Sequence, residues 1–112
     1  MNNGIPDTGD IIRLYMGSTK GNEQAGYRAV IVISDSVLNE ITGRVTGLPI
    51  TSTIHGWATE IPINSLVRPG VALVDQIGSW SYTARKVDFD GERATDEEIA
   101  AAKYAIREFL QL

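Results

Sequence analysis

Short apolar runs separated by turn-forming residues recur about every ten to fifteen residues along the chain, a spacing that predicts a small β-barrel or sandwich. In residues 11–16, Ile12, Leu14 and Met16 alternate with Ile11, Arg13 and Tyr15, the pattern of a strand with one face buried. The stretch 17–26 contains three glycines and no apolar residue larger than alanine, and reads as a loop. Residues 27–34 (YRAVIVIS) are rich in β-branched side chains and apolar on both faces, as expected of a central strand. A polar connection over 35–43 has room for a helical turn. Further strands are expected at 44–50, 59–63 and 71–77, with 51–58 as a loop.

The final segment changes period. Thr95 and Glu98 form a capping-box signature, Asp96 and Glu97 suit the positive end of a helix dipole, and Ile99, Ala102, Ile106 and Phe109 recur at helical spacing. One amphipathic helix therefore closes the chain, with its apolar stripe laid on the β-layer. At 112 residues, with no internal repeat or dividing linker, the whole of 1–112 is expected to form one domain.

Composition removes several chemistries. Without cysteine there is no disulfide framework, thiolate nucleophile or Cys-ligated metal, and His55 as the only histidine rules out a His-pair mechanism or a zinc site with two histidines. The longest apolar run, residues 29–33, is far short of a membrane span, and the N-terminus shows no secretory pattern, so a soluble cytoplasmic protein with no membrane partner is expected. Lys20 precedes Gly21 and a strand follows, which breaks the nucleotide P-loop pattern. Asp88, Asp90 and Glu92 lack the spacing of an EF-hand loop and read as a solvated acidic turn; neither metal nor cofactor is expected.

RNA cleavage remains chemically easy, because the ribose 2′-hydroxyl supplies the nucleophile. The protein need only accept a proton, stabilise charge on the phosphoryl oxygens and help the 5′-oxygen leave. A carboxylate, an arginine and a hydroxyl would suffice, and arginine grips two phosphate oxygens without losing its charge. Glu23 and Arg28 lie five residues apart around the first loop, Thr51, Ser52 and Thr53 form a run of hydroxyls after a strand, and Asp75 sits in an otherwise apolar stretch. From spacing alone, each also reads as an ordinary ion pair, polar loop or satisfied carboxylate.

Four segments carry a resemblance: Pro6-Asp7-Thr8-Gly9-Asp10-Ile11-Ile12, Gly21-Asn22-Glu23-Gln24-Ala25-Gly26-Tyr27-Arg28, Leu48-Pro49-Ile50-Thr51-Ser52 and Gly70-Val71-Ala72-Leu73-Val74-Asp75-Gln76. In order and separation the chain resembles the MazF/PemK (Kid-like) toxins of type II toxin–antitoxin systems over roughly residues 6–110. The resemblance implies a mainly β fold with α, an SH3-like small β-barrel of the CcdB/MazF/PemK type with a C-terminal helix, working as a homodimer. It also implies a metal-independent endoribonuclease, an mRNA interferase that cuts single-stranded RNA to 2′,3′-cyclic phosphate and 5′-hydroxyl ends. A cognate antitoxin with a disordered acidic tail would neutralise it. By the same resemblance Arg28 is the catalytic arginine, Thr51 stabilises the phosphate, and the base is Glu23 or Asp75. Lys20, Gln24, Tyr27, Ser52, Thr53, His55, Trp57 and Gln76 are expected around the RNA, with Tyr27 and Trp57 as candidate stacking surfaces.

Ala29 stands where proline commonly follows the arginine, and Tyr27 where histidine is frequent. The alternatives are a CcdB-like gyrase poison, disfavoured by a C-terminus ending Glu108-Phe109-Leu110-Gln111-Leu112 without Trp or Gly, and a catalytically silent binding member. The formal charge of −4 lies wholly in residues 88–112, which hold seven acids and three bases, whereas residues 1–87 carry seven of each. A basic RNA groove with an acidic far side is the resulting expectation.

Overall fold

The computed structural model describes residues 4–16 and 26–112. In chain order it contains β1 (Ile11–Tyr15), β2 (Tyr27–Val32), α1 (Ser36–Thr42), β3 (Arg44–Thr51), β4 (Glu60–Ile63), β5 (Gly70–Leu73), a 3-10 turn (Val74–Gln76), β6 (Gly78–Ser81), β7 (Val87–Asp88) and α2 (Asp96–Leu110). The described strands form a mainly antiparallel sheet in the order β4-β5-β3-β2-β1-β7, with β6 paired to the first half of β3. No described pairing joins β4 to β7, so the strands form a curled sheet rather than a closed barrel.

Strand alternation sends side chains to two cores. On one face Ile11, Ile31, Leu48, Ile50, Ile61 and Ile63 pack beneath α2, which contributes Ala102, Ala105 and Ile106. On the other, Ile12, Leu14, Val30, Val32 and Val45 are covered by Trp80, Tyr82, Val87 and Phe89. β2 is the central strand its double-sided apolar pattern predicts. β1 departs from the expected single buried face: Ile11 and Ile12 are both fully buried, because the unanticipated β6–β7 segment lays a second cover over the sheet.

The expected strand 71–77 stops at Leu73 and tightens into the 3-10 turn. The polar connection 35–43 holds a complete helix, with Asp35 capping the Leu38 amide at 3.0 Å and Gly43 ending it in the left-handed region. In α2 the capping box forms in full: Glu98 N–H donates to Thr95 Oγ1 at 3.1 Å, and Thr95 N–H to Glu98 Oε1 at 2.9 Å. The stripe ends earlier than the periodicity suggests. Phe109 is 48% exposed, and Ala105 is buried in its stead.

Candidate active site

β3 ends at Thr51, and there the chain leaves the sheet. Thr51 Oγ1 accepts a hydrogen bond from the Thr53 amide at 3.1 Å, turning the backbone into the loop that carries Ser52, Thr53, His55 and Trp57, all exposed. On its other side Thr51 pairs with Val71, and β5 approaches so closely that a Cβ at Gly70 would lie 2.5 Å from the Thr51 carbonyl oxygen. A side chain at position 70 would displace Thr51.

The loop is organised by a residue that sequence reasoning did not single out. The buried carboxylate of Glu60, at the start of β4, accepts backbone N–H groups from His55 (3.1 Å), Gly56 (2.8 Å) and Trp57 (3.3 Å). So held, His55 and Trp57 stack with centroids 4.3 Å apart, and Trp57 stays 58% exposed. The available sequence signal was a lone acid opening an apolar strand behind a glycine-containing loop. Burial alone would raise the Glu60 carboxyl; the three amides outweigh it and hold it below the ordinary glutamate value of 4.5. A depressed folded value means that this stabilisation is present above 4.5 and lost as pH falls through the lowered value. Wild type should therefore lose more stability than Glu60→Gln as pH falls from above 4.5 through the lowered Glu60 value in acid titrations followed by circular dichroism. Identical acid profiles would show that the amide cradle contributes nothing.

Beside Thr51 lies an open groove of about 620 Å³, continuing the α2-covered face of the sheet past Ile50 and Leu66. Tyr27, Ala29 and Arg13 form its floor, Thr51 and Ser52 one rim, and Val67 and Arg68 another. The expected charge separation is overturned here, because Asp90 and Glu92 line this same groove. Arg13 draws them in: its Nη1 donates to Glu92 Oε1 at 2.7 Å and to Asp90 Oδ2 at 3.1 Å. β7 pairs with β1 at Arg13–Asp88, which brings the whole acidic turn alongside.

Acidic side chains also fasten the far rim. Glu92 Oε2 accepts the Val67 amide at 3.2 Å, while Glu98 accepts the Asn64 amide at 2.6 Å and the Ser65 hydroxyl at 2.7 Å. Burial would raise the Glu98 carboxyl, but the Thr95 amide, the Ser65 hydroxyl and the Asn64 amide together lower it. The C-terminal acids thus serve as structural acceptors for the segment that walls the groove. Asp90 remains a negative charge facing any anionic ligand, so Asp90→Asn should tighten binding of a phosphate-backbone ligand several-fold and steepen its salt dependence by about one charge. Titration at two ionic strengths checks this, and unchanged affinity would refute it.

Arg28 is placed differently from its neighbours. It lies on the opposite face of β2 from Tyr27 and Ala29, paired with Leu14, and does not line the groove. The β2–β3 register, Ile31 to Leu48 and Val30 to Pro49, ends two residues short of Arg28 and Thr51, which lie at the same end of the two antiparallel strands. Its Nε is buried without a hydrogen-bond partner, and no ion pair of its guanidinium occurs among the described residues. Asp75 and Gln76 are exposed on the 3-10 turn, and neither lines the groove. Lys20, Glu23 and Gln24 lie outside the described residues. No cluster of three metal-ligating side chains occurs among the described residues, and no described helix is long and apolar enough to cross a membrane.

Comparison with known proteins converges on one family. Residues 7–110 match the model of the PemK-like, MazF-like toxin of type II toxin-antitoxin system. The endoribonuclease toxin MazF of Escherichia coli (strain K12) is 38% identical over 93 residues, covering 83% of this chain and 84% of its own. The crystal structure of MazF from Deinococcus radiodurans superposes with a TM-score of 0.84 at 27% identity, over 96% of this chain and 98% of that one. A MazE-MazF crystal structure from the same organism gives a TM-score of 0.86 at 25% identity, again over 96% and 98%. Matched along nearly its whole length in sequence and in fold, the chain belongs to the PemK-like, MazF-like toxin family of type II toxin–antitoxin systems.

Proposed function

We propose that this chain is a toxin endoribonuclease that cuts single-stranded mRNA without a metal, with Arg28 and Thr51 holding the scissile phosphate. The observation that carries the reading is the Arg28 guanidinium, whose buried Nε has no partner, on the end of β2 that neighbours the end of β3 at Thr51. Buried donors are almost always paired, and a donor left open on a permanent cation fits an anionic ligand. A phosphate oxygen there would satisfy Nε and be neutralised as charge builds in the transition state.

In the reaction the 2′-oxygen bonds to phosphorus, the bond from phosphorus to the 5′-oxygen breaks, and the products are a 2′,3′-cyclic phosphate and a 5′-hydroxyl. The 2′-proton passes to a carboxylate and a proton returns to the leaving oxygen. Glu23, five residues before Arg28, and Asp75 are the two candidate bases. The stacked His55–Trp57 pair and Tyr27 offer surfaces for bases. An antitoxin partner and a homodimeric, cytoplasmic toxin complete the reading, supported by the family and by the MazE-MazF crystal structures.

The test uses purified protein and a long single-stranded RNA in EDTA, beside a copy carrying deoxyribose at the cut position. Cleavage of the ribose strand alone, with cyclic-phosphate ends, is the expected result. Intact RNA in both tubes, or cleavage of both strands, would overturn the proposal.

A further inference from the structure

Beyond Tyr27 the groove opens onto a patch that the proposed chemistry leaves unused. Three strands meet there in register. Tyr27 pairs with Tyr15, and Tyr15 N–H donates to the Lys86 carbonyl at 2.9 Å, the next position after the Leu14–Val87 pair. Directly opposed residues share a face, so Tyr27, Tyr15 and Lys86 stand in one row on the side that carries Arg13 and the groove. The rings meet edge to face, with centroids 5.4 Å apart and planes at 66°, and the Lys86 ammonium lies 5.8 Å from the Tyr15 centroid. Arg85 donates from Nη1 to the Tyr15 carbonyl at 3.3 Å, placing a second cation beside the row.

These side chains are not core. Tyr15 and Tyr27 belong to neither apolar cluster and are 39% and 49% exposed. Neither Arg85 nor Lys86 meets a carboxylate among the described residues, whereas Arg13, two residues from Tyr15, is held by two. Among the described residues the groove is thus flanked by acids on one side and, on the other, by aromatic faces and cations that meet no carboxylate. Aromatic faces accept any base, and cations follow the phosphates, which is how single strands are held without sequence readout.

We propose that the Tyr27–Tyr15–Lys86 row, with Arg85, is a secondary subsite for single-stranded RNA flanking the cleaved bond, gripping bases by stacking and phosphates by charge. It rests on the ribonuclease reading for its ligand.

The experiment measures binding, not cutting, so that the two readings fail separately. Single-stranded RNA with deoxyribose at the cut position is titrated as a short core and as the core lengthened by about four nucleotides at either end. Wild type should gain about tenfold in affinity from one of the two extensions. Tyr15→Ala should abolish most of that gain while Tyr15→Phe keeps it, and Lys86→Gln should shrink it and lower the salt slope by about one. Melting curves verify that each variant is folded. An unchanged gain in Tyr15→Ala, or an equal loss on core and extended RNA, would overturn the subsite. Should wild type cut no RNA yet show the length-dependent gain, the subsite stands and the cleavage reading falls.

Discussion

Arg28→Ala is expected to slow RNA cleavage by roughly 10²–10³-fold, the usual effect of removing one preorganised donor from a charge-developing transition state. The fold should survive. Arg28 stands at the start of β2 beside Leu14, and its buried Nε is unsatisfied in the free protein, a state that typically costs about 1–3 kcal/mol. Arg28→Met, which keeps the apolar stem, should therefore melt at or above the wild-type temperature while remaining inactive. Cleavage rates on a single-site RNA and thermal denaturation test both halves. Near-wild-type cleavage would show that the phosphate is held elsewhere; a large fall in melting temperature for Arg28→Met would make the residue structural.

The second large effect concerns the sheet. Gly47 lies where β2 crosses to β3 and pairs with Val32. A Cβ built there runs into the Ile31 carbonyl oxygen and crowds Val30 Cγ1 at 2.8 Å. The first obstacle is backbone in the central strand, which cannot rotate away, so Gly47→Ala is expected to cost about 3 kcal/mol or more, the upper end of overpacking penalties. For a chain whose total stability is on the order of 5–15 kcal/mol, that corresponds to a melting point lower by roughly 10 °C or more. Calorimetry decides. A shift of only a degree or two would mean that β2 and β3 can part without cost.

Much of the fold is legible in the residues because its cause is local. The Thr95–Glu98 box and the two-sided apolar run of β2 act within a few residues, and both form as their chemistry dictates. β6 escaped notice because Gly-Ser-Trp-Ser has little alternation of its own; it is a strand only because the first half of β3 needed a partner. The 3-10 turn at Val74–Gln76 likewise answers to α2, which packs on it, and to Thr59, whose carbonyl accepts the Val74 amide at 3.0 Å.

The candidate site divides in the same way. Arg28 and Thr51 are named by the sequence, through their residue types and the segments around them. Their proximity at one end of the β2–β3 pair depends on the antiparallel register, which the chain alone does not declare. Glu60 was invisible because its role is to accept three amides of a loop whose path only the folded chain defines. The acidic quarter shows the difference most plainly. The sequence by itself determined that the net charge of −4 lies in residues 88–112, and that the last helix would be capped by its own acids. The tertiary structure decided where that charge goes. β7 pairs with β1, Arg13 draws Asp90 and Glu92 into the groove, and Glu98 ties down its rim, because a carboxylate settles on the nearest unsatisfied cation or amide, whatever its distance along the chain.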